Sequence, residues 1–245
     1  AAMVRVINAC KDNGKIGGFM PTTLDLAEVV ADKGFRMLAW SGDVWIVSNI
    51  NDKLDNIKWK RFATGLHEPL GLKIVAGKIY TVGDNQITRF HDLNNDGEAD
   101  FLENFNNDWD ATEGFHAFCF DLQTDAKGNF YFSMGCPVRA GGAGFERLGR
   151  HHGCVLKISP NGDELSIFAS GFRAPNGIGV GPNGEVTTGD NEGSFVPTAP
   201  LNWVKSGSFN GVVDSYRGDR NLKSSPISGY EVPYTDWGEY RRSFM

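Results

Sequence analysis

Asp92-Leu93-Asn94-Asn95-Asp96-Gly97-Glu98-Ala99-Asp100, with Glu103 just beyond, holds the densest oxygen chemistry in the chain. Oxygen side chains stand at the first, third and fifth positions (Asp92, Asn94, Asp96), with glycine at the sixth. Glu98 at the seventh would offer its main-chain carbonyl, Asp100 at the ninth a direct or water-borne oxygen, and Glu103 at the twelfth a closing bidentate carboxylate. That order is the one in which a calcium loop wraps its ion. Calcium held in this way leaves no open position for a substrate, so its role would be to stabilise the loop between Phe90 and Phe101. The alternative is an acidic hairpin turn closed by Asx hydrogen bonds.

A second set of residues offers proton transfer and charge. His116, in Glu113-Gly114-Phe115-His116-Ala117-Phe118, places an imidazole at the entrance to an aromatic strand, where it can take a proton near neutral pH; a satisfied core histidine is the competing reading. His151 and His152 stand before another strand, and because successive strand residues face opposite ways, only one of them would share a pocket with His116. Arg173-Ala174-Pro175-Asn176-Gly177 and Asp190-Asn191-Glu192-Gly193 follow two strand-like runs. Arg173 would neutralise a carboxylate or enolate-like oxygen. Asn176 and Asn191 would orient hydroxyls, and Asp190 or Glu192 would bind hydroxyls or exchange protons. The plain alternative makes these residues repeat turns and turn caps. No compact spacing among the histidines and acids fixes a tetrahedral zinc site.

The elements that must position these groups are announced by an internal echo: FATGLHEPLGL at Phe62–Leu72 returns as FASGFRAPNGIGV at Phe168–Val180, 106 residues later. Each copy joins a short apolar strand to a Gly/Pro turn and a second strand. Hairpin-like runs lie at Gly42, Gly77, Gly128 and Gly184, at intervals of 35, 51 and 56 residues. These spacings predict an all-β chain: a β-propeller of four-stranded antiparallel blades. At 245 residues the chain would close with five blades, or would be part of a larger propeller completed by further sequence or a partner chain. Asp25–Ala31 has helical spacing, so residues 1–35 form an irregular N-terminal segment, and residues 206–245 are loop-rich. One domain is expected over 1–245, since no linker or charge block divides it.

The composition supports this. With 31 Gly and 10 Pro there is little room for long helices, while 17 Phe, 6 Trp and 6 Tyr can fill the space between sheets. The 24 Lys and Arg are scattered against 30 acids, net −6, which gives no nucleic-acid footprint. No apolar run is long enough to span a membrane. Cys10, Cys119, Cys136 and Cys154 show no CxxC pairing, and a disulfide among the last three and buried free thiols remain equally open.

The run from Phe62 to about Gly211 resembles the propeller of bacterial membrane-bound or glucose/sorbosone-type dehydrogenases, which are related to aldos-2-ulose dehydratase. The resemblance is carried by FATGLHEPLGL, HDLNNDGEAD, GNFYFSMG, HHGCVLKISPNGDELSIFASGFRAPNGIGVGPNGEV and TGDNEGSFVPTAPLNWVKSGSFNG. It implies a carbohydrate-derived substrate, catalytic residues around a central funnel with His116 first among them, calcium near the Asp-rich loop, and a quinone such as pyrroloquinoline quinone. It also implies an extracellular or periplasmic setting, any leader having been removed. His151-His152-Gly153 departs from the family, which favours an Arg-Gly-Trp-like tripeptide there. Oxidation, elimination by a histidine base, and noncatalytic binding of a carbohydrate or protein all remain open.

Overall fold

The computed structural model describes residues 18–19, 37–40, 42–49, 56–110, 114, 116–140, 142, 144–192 and 199–219. The expected helix at 25–31, Cys10 and the chain after 219 lie outside them. Among the described residues fifteen strands form four sheets. The first contains β1 (Gly18–Phe19), β2 (Met37–Trp40), β3 (Asp43–Ser48) and β4 (Lys58–Ala63); the second contains β5 (Gly71–Val75), β6 (Lys78–Val82), β7 (Ile87–His91) and β8 (Phe101–Asn106). The third contains β9 (Cys119–Thr124), β10 (Phe130–Met134), β11 (Cys154–Ile158) and β12 (Leu165–Ser170). The fourth has three strands among the described residues, β13 (Asn176–Val180), β14 (Val186–Gly189) and β15 (Leu201–Val204). Among the described residues no helix is long and apolar enough to cross a membrane.

The echo in the sequence has a structural meaning. Phe62 lies in β4, the last strand of the first sheet, and Leu72 in β5, the first strand of the second; Phe168 and Val180 lie in β12 and β13, the last and first strands of the third and fourth sheets. Both copies are therefore sheet-to-sheet passages, with the second and third sheets between them in the chain. Each turns at a glycine of left-handed backbone, Gly65 (φ 80°) and Gly171 (φ 89°), a conformation cheap only without a Cβ.

Two details correct the expected pattern. The pair β1–β2 is parallel, so the first sheet is mixed rather than wholly antiparallel. The hairpin at Gly42 joins the second and third strands of its sheet, whereas those at Gly77, Gly128 and Gly184 join first to second. The 35-residue interval therefore linked non-equivalent hairpins, and only the longer two are true sheet repeats.

The chain divides into two compact units, Ala1–Thr81 with Thr88–Glu103, and Val82–Ile87 with Asn104–Met245. The first unit has a core of Val44, Phe62, Ala63 and Phe90, with Leu66, Leu72 and Ile74 packed against it. In the second, strand alternation sends Tyr131, Val155 and Ala169 of the third sheet against Ile178, Val186 and Val204 of the fourth, with Phe172 between. Burying a side chain such as Phe172 contributes about 1.5–3 kcal/mol. Cys119, Cys136 and Cys154 are buried free thiols, which resolves the alternative left open by their spacing.

Candidate functional site

In the second unit, the loops before β9, between β10 and β11, between β12 and β13 and after β14 carry the residues expected to do acid–base or binding chemistry, apart from Asn176, which opens β13. Asp190 follows β14 directly and is buried. Its Oδ2 accepts the Arg173 main-chain N–H at 2.9 Å, and its Oδ1 accepts those of Ala174 at 2.8 Å and Asn191 at 2.9 Å. Burial raises its carboxyl above the ordinary value despite these three bonds. Asp190 is thus the clamp that fixes the turn carrying Arg173, and its oxygens are committed to the main chain.

Arg173 is only 4% exposed. One terminal nitrogen donates to the Gly142 carbonyl at 2.7 Å, while Nε, also buried, has no partner among the described residues. Burying a cationic donor without an acceptor is costly, so this nitrogen is a position at which an acceptor oxygen would be strongly stabilised.

His116 sits at φ 70°, a left-handed conformation, in the turn before β9. Its ring is pushed below the ordinary histidine value by burial first and then by the charge of Arg173, with Glu192 pulling the other way. Two expected residues from two other loops therefore act on the His116 imidazole, which burial and Arg173 bias toward its neutral, proton-accepting form. Glu192 is exposed, Asn191 half-buried and Asn176 exposed at the start of β13.

The two adjacent histidines are both buried and differ in role. His151, at φ 73°, accepts a hydrogen bond at Nε2 from Arg150 Nε, at 2.9 Å. His152 accepts the Gly149 N–H at Nδ1, at 2.7 Å, which puts its proton on Nε2; that nitrogen has no partner among the described residues. Burial pushes His152 down to about 4, against a small opposing pull from Asp110. Neither histidine was reached as an alternating strand residue: both precede β11 in a turn. Arg150 also lines a polar groove of about 510 Å³ with Asp108, Lys157, Asp163 and Glu164, and none of the expected site residues borders it.

Three positioning residues escaped the sequence reading. Asp121, at φ 60° in β9, accepts the Ile178 N–H at 2.9 Å and ties β9 to β13. Gly135 lets the chain pass so closely that a Cβ there would lie 2.0 Å from the His116 carbonyl oxygen. Asp84 is buried, and its carbonyl accepts the Trp109 indole N–H at 2.8 Å. A signal for it existed: Gly83-Asp84-Asn85 stands 106 residues before Gly189-Asp190-Asn191, the same offset as the longer echo.

In the first unit, the Asp92–Asp100 loop turns its oxygens on itself. Asp92 accepts the N–H groups of Asp96 (3.1 Å) and Gly97 (2.8 Å), and Asn94 Oδ1 accepts that of Asp96 (2.9 Å). Asp96 accepts the Glu98 N–H (2.8 Å), and Asp100 the Leu93 N–H (2.7 Å). Glu103, expected to close a metal shell, instead takes both Arg89 Nε and a terminal nitrogen at 2.6 Å, with His91 Nε2 also at 2.6 Å. Burial raises the Glu103 carboxyl, but these hydrogen bonds outweigh it and hold the group below its ordinary value. Among the described residues no group of three or more His, Cys, Asp or Glu side chains is arranged to hold a metal.

No family model matches the chain, and no curated protein sequence matches it. Solved structures do. A glucose dehydrogenase matches with a TM-score of 0.51 at 13% identity, over 70% of this chain and 61% of its own. The soluble aldose sugar dehydrogenase of Escherichia coli, in its apo form, matches with a TM-score of 0.50 at 14% identity, over 71% and 58%. This chain thus spans about three-fifths of the length of each. At such identity the likeness is one of fold alone, an all-β arrangement of separate sheets of three or four strands.

Proposed function

We propose that the protein is a sugar-active oxidoreductase acting on a hydroxyl or aldehyde of a carbohydrate-derived substrate, with one functional domain outside the cytoplasm. The observation that carries this reading is the convergence of charge on His116: buried Arg173 and exposed Glu192 both act on an imidazole that burial biases toward its neutral form. A quinone of the pyrroloquinoline type fits the donor set, because buried N–H groups at Arg173 Nε and His152 Nε2 have no acceptor among the described residues. When bound, such a quinone supplies a two-electron acceptor for oxidation of a C–H bond. Arg173 and His152 would hold its acidic and carbonyl oxygens. His116 takes the hydroxyl proton of the sugar as that carbon is oxidised, a general-base role suited to an imidazole neutral at working pH. Arg173 stabilises negative charge gathering on the oxygen, and Asp190 keeps Arg173 in place through the main chain.

The test is dye reduction by the full chain supplied with the quinone, over a panel of aldoses and sugar acids. His116→Ala should lower turnover by about 10²-fold or more without shifting the melting curve. Equal turnover by variant and wild type removes His116 from the chemistry. If no sugar in the panel drives dye reduction by the quinone-loaded wild type, the oxidoreductase reading fails.

A further inference from the structure

We infer that the acidic Asp92–Asp100 loop is neutralised in part by the ammonium group of Lys60 at its edge and that, as arranged, its donor set does not fit a divalent cation. Four carboxylates, Asp92, Asp96, Glu98 and Asp100, crowd nine residues, and such a loop needs positive charge close by. Hydrogen bonds to main-chain N–H groups do not decide between metal and no metal, because an oxygen that accepts one bond keeps a lone pair for an ion. Two other observations do.

The first is Lys60. It projects from β4, its Nζ donates to the Asp96 carbonyl oxygen and lies 3.7 Å from Glu98 Oε1. A Cβ built on Gly97 would be 3.5 Å from Lys60 Cδ and 3.6 Å from Nζ, so the lysine stem lies against the turn itself. The loop is held over that strand by the Ala99 N–H, which donates to the Phe62 carbonyl at 2.7 Å. The second is Glu103, whose two oxygens are both taken by Arg89, with His91 on one of them. The twelfth-position carboxylate that would complete a calcium shell is thus a cross-strand ion-pair partner, and the fifth-to-seventh segment already has a cation. The donor set as arranged does not fit calcium. This inference stands apart from the oxidoreductase reading, since all its residues belong to the first unit.

The experiment compares melting curves of the full chain in chelator and in millimolar calcium for wild type, Lys60→Met and Lys58→Met, the last a control on the same strand. Wild type should melt alike in both conditions. Lys60→Met should melt about 2–4 °C lower in chelator, as expected for a loss near 1 kcal/mol in a chain of this size, and calcium should restore it. Lys58→Met should show neither effect. A wild-type curve that rises with calcium overturns the inference. So does a Lys60→Met curve identical to wild type, or a lowered one that calcium leaves unrescued.

Discussion

Replacing Asp190 tests whether one carboxylate holds the turn on which the proposed chemistry depends. In Asp190→Ala, the N–H groups of Arg173 and Ala174, both in buried residues, lose their only described acceptor, while that of half-buried Asn191 can turn to water. An unsatisfied buried donor costs about 1–3 kcal/mol, so two give about 2–6 kcal/mol. Asp190→Asn keeps one acceptor oxygen but sets an amide NH₂ against one of the two main-chain donors, which limits the cost to about 1–3 kcal/mol. Urea unfolding followed by tryptophan fluorescence should show both midpoints falling, alanine further than asparagine, with unchanged slopes. In the quinone-supplied assay, the asparagine variant should also lose turnover, because the turn that aims Arg173 is loosened. Alanine within about 0.5 kcal/mol of wild type, the range of an ordinary surface substitution, would refute the clamp.

Acid should weaken the fold through His152. Its folded value, about 4, lies below the unfolded value near 6.5, so the stability it confers is complete above about pH 6.5 and is lost as pH falls toward 4. Urea midpoints at pH 7 and pH 5 should differ less in His152→Gln than in wild type; an equal difference would show that the ring does not titrate on unfolding. Gly135→Ala should displace the turn of His116, since the new methyl would meet its carbonyl oxygen at 2.0 Å. Turnover should fall steeply while far-ultraviolet circular dichroism stays that of a β protein, and unaltered turnover would mean that the turn can shift without consequence.

The β character, the hairpin glycines and the sheet-to-sheet passages could be read from the sequence because each depends on local chemistry: glycines at left-handed positions, apolar strands flanking a Pro turn, and a repeat that preserves both. The parallel β1–β2 pair could not, since parallel pairing joins segments that no turn signal links. His116, Arg173 and Glu192 could be singled out because loops at one kind of strand end recur with the repeat. The sequence left Asp190 between ligand contact and turn cap because a carboxylate bound to the main chain and one facing a ligand have the same letter. The lysine beside the Asp92 loop was out of reach for a related reason. The loop's own pattern is complete, and that lysine lies 32 residues earlier, beyond the reach of any local motif.

The left-handed backbone at His116 and His151, φ 70° and 73°, has a consequence for how the site meets its ligand. A residue with a Cβ gives up about 1–2 kcal/mol in that conformation, which glycine would not. The His151 turn is held there by a long-range main-chain bond, its N–H donating to the Gly218 carbonyl at 2.7 Å, and the His116 turn by the Ala117 N–H donating to the Gly114 carbonyl at 2.9 Å and by the close passage of Gly135. The aiming of both imidazoles is therefore settled during folding, and ligand arrival need not freeze those turns. Recognition should accordingly show little loss of backbone entropy around the two histidines, with selectivity arising from a rigid arrangement rather than from a loop that closes over its guest.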